Sequence, residues 1–527
     1  MKVRFSITLV LFNETTSIKW VFGEKYSIKQ STIHKVKDSI LSNDSKYVLF
    51  WNAEHPIPTE KILHDVISSK GDLWHIGSKI GFAESLPLLD SIQPANMLHV
   101  KVDYNIDHTS WKISFDGCLM KKSVLNSIPL QEQSKSLDVL ALNFGYKAMQ
   151  SGVLTRYSSL LAQEIEPCIR TKIKAKDEIV FIRNNFDKKA FIWSYLTNFS
   201  RISALRFFKE FIRKIDKLES VYEQSIDEIQ LSENDCSVSI VIATLERYEC
   251  LRDELKELKG LNLPAKEIII VDQTPKENRD QSFLNDFKEL PIKYLQTDKI
   301  GQCSARNMGI KNATSTFVWF LDDDMQDIPS NYLEKHLKTI YALNADVSCG
   351  IPDEIGTEYI DRSIPKVELS EGFPTNDVLV KRKLLLTVGG FDEKMDQMQS
   401  EDQEIGLRCI KSGALSVKNN QLRIIHLRAA RGGLRNHNVR KITFSSSRKN
   451  VRERRLLHHS EIYLNLKHFS QEQVKKLIIL NIRGTFIIRG GILKKLLKFG
   501  FALLYLPNTI VVLKKKYILA NKLIEKK

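Results

Sequence analysis

The strongest constraint on what this chain can fold into is a repeated ending: apolar, β-branched runs that stop on a polar residue. "CSVSIVIATL" (236–245) closes around Thr244, "KEIIIVDQTP" (266–275) at Asp272, and "FVWFLDDDM" (317–325) at Asp322, Asp323 and Asp324. Between them lie the helix-like "ECLRDELKELKGL", the short strand "PIKYLQTD", and "GQCSARNMGIKNA", a loop entering a helix. Strands alternating with helices at this spacing predict βαβ units and a mostly parallel sheet, an α/β fold. Such sheets bind ligands beyond the carboxyl ends of their strands. The polar residues all fall at those ends, so this stretch predicts a site as well as a fold.

Three adjacent carboxylates repel one another unless positive charge sits among them. A divalent cation answers this, since Mg²⁺ is commonly held by one or two carboxylates together with substrate phosphates. Alternation along a strand lets Asp322 and Asp324 converge while Asp323 points away. A solvated acidic turn is the plainer reading of such a triplet taken alone. Further on, "SEDQEIGLRCIKSG" (400–413) places Glu401 and Asp402 at the start of a helix with Gly413 as its cap. They are either N-terminal charges on the helix dipole or a carboxylate kept ionised as a general base. His426 ends the run "RIIHLRAARGGLRNHN" and precedes Arg428, Arg431, Gly432, Gly433 and Arg435. A neutral imidazole is a common metal ligand, and a Gly-rich basic loop approaches phosphates closely.

The sentence is written twice. "KYVLFWNAEH" sets Asn52, Ala53 and Glu54 opposite the three aspartates. "FDGCLMKKSVLNSI" (115–128) parallels "TNDVLVKRKLLLTV" (375–388), and "SLDVLALNFGYKAMQSG" (136–152) parallels the Glu401 segment. Matches in the same order point to a diverged internal duplication. Only 46 residues precede "YVLF" in the first copy, against about 80 between Cys236 and "FVWF" in the second. The first copy is therefore too short for a full nucleotide-binding half. Residues 196–220 are expected to form an amphipathic connector helix, followed by a polar linker.

Length and charge narrow the rest. A chain of 527 residues accommodates two or three domains. These are placed at 1–195, 196–232 (connector and linker), 233–440 and 441–527. The net charge of +16 calls for anionic partners. Nucleic acid is not expected, because no aromatic and basic residues interleave into a stacking platform. The last region is basic with apolar clusters, as in "RGGILKKLLKFGFALLYLPNTIVVLKKK". Its apolar core is shorter than the roughly 20 residues of a spanning helix. Two readings stay open: a helix lying in an anionic membrane interface, or a basic helical bundle packed on the catalytic domain. Seven scattered cysteines without a CxxC pair argue for free thiols in a reducing cytoplasm.

In order, "SIVIATLER", "IIIVDQTP", "GQCSARNMGI", "FVWFLDDDM", "GGFDE" and "SEDQEIGLR" resemble the motifs of family 2 glycosyltransferases with the GT-A fold, over roughly 236–440. The resemblance implies an inverting transferase that uses a nucleotide sugar, a UDP-sugar foremost, and Mn²⁺ or Mg²⁺. It implies nucleotide contacts at Thr244, Arg247, Asp272 and Arg306, and a DXD element at Asp322–Asp324, with Asp323 counted among the nucleotide contacts. Asp322 and Asp324 would hold the metal, joined by His426. Asp402 would be the catalytic base, with Glu401 beside it near the acceptor. The expected acceptor is a glycan or lipid-linked glycan in surface polysaccharide synthesis, handled at the inner face of the cell membrane. The N-terminal copy would be a degenerate GT-A-like domain that positions acceptor, forms an oligomer contact or supports its neighbour. A non-catalytic scaffold or glycan-binding subunit is the competing reading. A phosphoryl-transfer enzyme is a third.

Overall fold

The computed structural model describes residues 7–525 apart from 13–36, 38–39, 41–43, 53, 78–85, 97–99, 101, 131–136, 166–172, 216–219, 227–228, 233–235, 356–359, 361 and 428–443. The N-terminal part contributes six strands: β1 (Ile7–Phe12), β2 (Tyr47–Asn52), β3 (Leu73–His75), β4 (His108–Thr109), β5 (Gly117–Lys121) and β6 (Thr155–Tyr157). They form one sheet in the order β1-β2-β5-β3-β6-β4.

The second part contributes β7 (Val238–Thr244), β8 (Glu267–Asp272), β9 (Ile292–Gln296), β10 (Phe317–Asp322), β11 (Met325–Gln326), β12 (Val347–Cys349), β13 (Asp353–Glu354), β14 (Val367–Leu369), β15 (Asp377–Lys381), β16 (Ser416–Asn419) and β17 (Ile425–His426). Eight of them make a sheet in the order β14-β16-β12-β15-β10-β7-β8-β9. Strands β9, β8, β7 and β10 run parallel, and β15 is inserted antiparallel between β10 and β12. The apolar runs are buried on both faces because helices cover both sides, as parallel sheets require. On one face the helix Gln302–Asn312 lies directly on β7, where Gly309 permits the approach: a Cβ there would sit 2.3 Å from Val241 Cγ1.

Setting the sheets side by side shows the same plan twice. The path β1-β2-β5-β3-β6-β4 repeats β7-β10-β15-β12-β16-β14, strand for strand and with each pairing in the same sense. Even the register agrees: Tyr47 pairs with Lys121 as Phe317 pairs with Lys381. Strands β8 and β9 have no counterpart among the described residues. The first sheet otherwise repeats the strand plan of the second.

The two halves share an apolar seam built from Leu154, Leu343, Ala345, Val367, Leu415 and Val417. Polar ties flank it, including Lys70 to Asp346 at 2.5 Å and Arg156 to the carbonyls of Gly413 and Ala414. The expected connector helix is shorter than 196–220. One helix ends at Leu196, a 3₁₀ turn covers Phe199–Arg201, and a second helix runs over Ala204–Ile212. Ser203 caps the latter with its hydroxyl, so the chain restarts rather than continues. The C-terminal region is helical, with helices His459–His468, Gln471–Gly484, Ile492–Leu504 and Leu506–Glu525.

Candidate active site

Strand β10 ends at Asp322, and the chain then turns through Asp323 and Asp324 into β11. The three carboxylates part ways as strand alternation predicts. Asp323 is buried and accepts from Thr244 Oγ1 and Arg247 Nη1, both at 2.8 Å. Burial pushes its carboxyl up to about 6, against the pull of Arg247. It therefore braces Arg247 and the end of β7, an arrangement different from the direct nucleotide contact expected of it. Arg247 also reaches Asp324, at 3.5 Å.

Asp322 and Asp324 face a common point, and His426 joins them. Strand β17 pairs with β11 so that His426 stands opposite Met325. Its Nε2 lies 3.3 Å from Asp324 Oδ1, and Leu427 N–H donates to the Asp324 carbonyl. One donor atom from each of Asp322, Asp324 and His426 fits within 4.8 Å of the others. Two carboxylates and an imidazole are a donor set for a divalent cation such as Mn²⁺ or Mg²⁺. The electrostatics agree with the geometry. Burial disfavours the imidazolium, but Asp324 and Glu354 outweigh it and hold His426 up at about 9, so the cluster already draws a positive charge.

Glu401 of the second acidic pair is tied to the first cluster through Arg306. Glu401 and Asp402 open the helix Glu401–Lys411. The residue before them, Ser400, has a φ of 73°, a left-handed conformation that costs energy in a non-glycine residue. Gln302 holds the preceding turn, donating to the carbonyls of Met395 and Met398 and accepting from Gln397 N–H. Arg306, buried on the same helix as Gln302, forks between the two clusters. Its Nη2 lies 3.1 Å from Asp322 and its Nη1 3.2 Å from Glu401. One guanidinium therefore fixes the spacing between the DXD aspartates and the helix of the expected base. Burial, reinforced by the Asp402 charge, pushes Glu401 up to about 7, against the pull of Arg306.

Asp272 sits at the end of β8, fully buried, and accepts from Tyr248 and Tyr294 hydroxyls and from Thr274 N–H. This fixes its orientation at the strand end where a nucleobase was expected. The basic loop residues Arg428, Arg431, Gly432, Gly433 and Arg435 lie outside the described residues.

Sequence reading missed Glu254. It is completely buried on the helix Tyr248–Lys259, neither of its oxygens has a hydrogen-bond partner, and its acidity is suppressed by burial and by the three aspartates. The signal was present: Glu254 shares the inward face with Leu251, Leu255 and Leu258.

The C-terminal helices brace the base helix from outside. Glu404 meets Arg408 on its own helix and Lys467 and His468 on the next, at 2.5 to 3.1 Å. The His468 hydrogen bond and the charged partners Arg408 and Lys467 hold its carboxyl far below the usual range, although burial opposes them.

Comparison with known proteins bears on the same stretch. The sequence model of Glycosyl transferase family 2 matches residues 239–391. An uncharacterized glycosyltransferase of Rickettsia conorii, RC0461, is 30% identical over 91 residues, which are 17% of this chain and 15% of that protein. The uncharacterized glycosyltransferase YwdF of Bacillus subtilis is 29% identical over 126 residues, 23% of this chain and 46% of that one. The chain thus spans less than half the length of either curated relative. Among solved structures, the mannosyltransferase PcManGT of Pyrobaculum calidifontis, in complex with GDP-Man and Mn²⁺, is similar at a TM-score of 0.36 and 14% identity, over 55% of this chain and 88% of that one. The matched segment holds Thr244, Asp272 and Asp322 at the ends of their strands, Asp323 and Asp324 in the turn that follows, and Arg306 on the helix Gln302–Asn312, and it is a family 2 glycosyltransferase domain.

Proposed function

We propose that this protein is an inverting, metal-dependent glycosyltransferase that moves a sugar from a nucleotide donor, a UDP-sugar in the first instance, to a hydroxyl of a glycan or lipid-linked glycan during surface polysaccharide synthesis. The observation that carries this reading is Arg306, whose guanidinium joins Asp322 to Glu401 and so sets the acid pair for the donor beside the acid pair for the acceptor.

Each group has a role its surroundings suit. Asp322, Asp324 and His426 would hold the divalent cation, which supplies charge neutralisation on the departing diphosphate. Thr244, Arg247 and Asp272 line the strand ends where the nucleoside would lie, with Arg247 held in place by Asp323. Asp402 takes the proton from the acceptor hydroxyl as that oxygen attacks the anomeric carbon from the face opposite the leaving group. Such a base contributes about 10²–10⁴-fold in rate. One base and one in-line attack invert the sugar without a second nucleophilic carboxylate. Glu401, tied to Arg306, orients the first turn of the base helix and the acceptor.

A thermal-shift screen of nucleotide sugars with and without Mn²⁺ tests the reading. A specific ligand raises the melting temperature as the logarithm of its concentration over Kd. One nucleotide should stand out with Mn²⁺ in the wild type and lose its effect in Asp324→Ala. The absence of any nucleotide-dependent shift would favour the non-catalytic scaffold.

A further inference from the structure

The helix Ile492–Leu504 is inside out. Its buried residues are Lys498, 1% exposed, and Ala502. The Lys498 ammonium is consumed by the body of the protein, donating to the carbonyls of Ser447, Asn450 and Glu453. The opposite arc carries Ile492 (79% exposed), Leu493 (69%), Leu496, Leu497, Phe499 and Leu504 (76%). Water-facing helices of globular proteins place these residues the other way round.

The following helix, Leu506–Glu525, continues the pattern. Thr509, Leu513 and Ala520 face the body, while Ile510, Val511, Ile518 and Leu519 face out among exposed Lys514, Lys515 and Lys522. The break between the helices is locked rather than loose. Arg454 bonds the Tyr505 carbonyl, Asn508 and Thr509, and its guanidinium lies 4.8 Å from the Tyr505 ring centre. Among the described residues nothing covers this double face.

We propose that the face is a docking surface for an anionic lipid bilayer, with both helices lying along the interface. Length argues against crossing. The first helix, of 13 residues, spans about 20 Å, short of the roughly 30 Å hydrocarbon core. No single helix among the described residues is long and apolar enough to cross. The two together have the length and composition of a span, but they are bent by 60°, and Lys498, Thr509, Leu513 and Ala520 bury their inner sides against the protein. Charge selects the occupant. Lys494 and Lys495 stand exposed beside the apolar arc, Lys514 and Lys515 interrupt the next, and the whole chain carries +16. A second copy of this chain would set lysine rim against lysine rim, whereas an anionic bilayer offers headgroups to the lysines and an acyl layer to the exposed leucines.

The inference does not depend on transferase activity, and its test reads binding alone. The full chain would be floated with vesicles of phosphatidylcholine, and of phosphatidylcholine with phosphatidylglycerol as about one third of the lipid. The wild type should float with the anionic vesicles and partition about tenfold less onto the neutral ones. Leu493→Glu/Leu496→Glu/Leu504→Glu should remain unbound with an unchanged melting temperature, since these side chains touch solvent. Three results would overturn the proposal: no flotation of the wild type with anionic vesicles, equal flotation with neutral ones, or a vesicle-free dimer that the triple variant dissociates.

Discussion

The two sheets share a strand plan and a register, yet among the described residues only the second carries a cluster of carboxylates and imidazole that could hold a metal ion. The differences are few and local. Where β10 ends in Asp322, β2 ends in Asn52, whose side-chain oxygen accepts from Glu54 N–H and so closes a turn. Where the second sheet continues through β8 to β9, the first has no described strand beyond β1. The region that pairs β11 with β17 and returns His426 to Asp324 has no described equivalent in the first domain. A fold of this kind is thus maintained by apolar strand faces. Its chemistry depends on a handful of residues at the strand ends, which can be lost while the sheet persists.

The largest expected contrast sets Asp324→Ala against Glu54→Ala. The first should abolish sugar transfer, and the second should leave most of it, measured as product formed with saturating donor and Mn²⁺. Equal losses would mean that the N-terminal strand end shares the chemistry. Next in size is the pair of helix carboxylates. Asp402→Asn should lower kcat by about 10²–10⁴-fold while the nucleotide still raises the melting temperature. Asp138→Asn, at the matching place on the helix Leu137–Gln150, should change kcat little.

Much of this contrast was legible in the letters. The strand ends, the missing charge at Asn52-Ala53-Glu54 and the shortened first half can all be read from apolar runs and their spacing. The bridge made by Arg306 was not legible, because it joins residues 16 and 95 positions away and depends on how closely a helix sits on β7. The brace between Asp323 and Arg247 was likewise hidden, since the sequence shows that Asp323 points away but not what it meets. Glu254 escaped because an acidic residue at an inward helical position reads as a surface charge until its neighbours are placed. In the C-terminal region the packed-bundle reading has contacts to stand on, while the membrane reading is a proposal that rests on an exposed apolar face. One side packs on the catalytic domain through Lys467 and His468, and the other bares leucine and isoleucine.

A middle-sized effect is expected where the two sheets meet. Arg156, buried on β6, donates to the carbonyls of Gly413 and Ala414 just past the base helix. Arg156→Met removes charge-assisted hydrogen bonds worth about 1.5–3 kcal/mol each at most. It should lower the unfolding free energy by about 2–3 kcal/mol and reduce kcat with little change in donor KM. Loss of stability with kcat intact would show that the first domain supports the fold without steadying the base helix.

The pH responses of the two halves should run in opposite directions. Burial holds His75 down at about 3 and His108 at about 4, below the ordinary histidine value of about 6.5. The folded state there prefers the neutral ring, so local stability falls as pH drops below about 6.5. In the metal-free catalytic domain His426 is held up at about 9, so its contribution is complete below about 6.5 and is lost as pH rises through about 9. Glu401 adds to the same trend, since its raised carboxyl resists ionisation between about 4.5 and 7. Hydrogen exchange of β3–β4 and of β11–β17 should therefore accelerate at opposite ends of the pH range. Parallel profiles would contradict these assignments.

The smallest expected effect is the most direct probe of what separates the copies. Returning the acid to the first sheet, Asn52→Asp in an Asp324→Ala background, should restore neither Mn²⁺ binding by calorimetry nor transfer. The added carboxylate would stand at the right place on the right strand, but a divalent cation needs several converging donors. In the second sheet those donors come from the turn after β10 and from β17, and the nucleotide side is completed by β8 with Asp272. Regained Mn²⁺ binding would mean that one substitution, rather than the loss of a whole half-site, silenced the first domain.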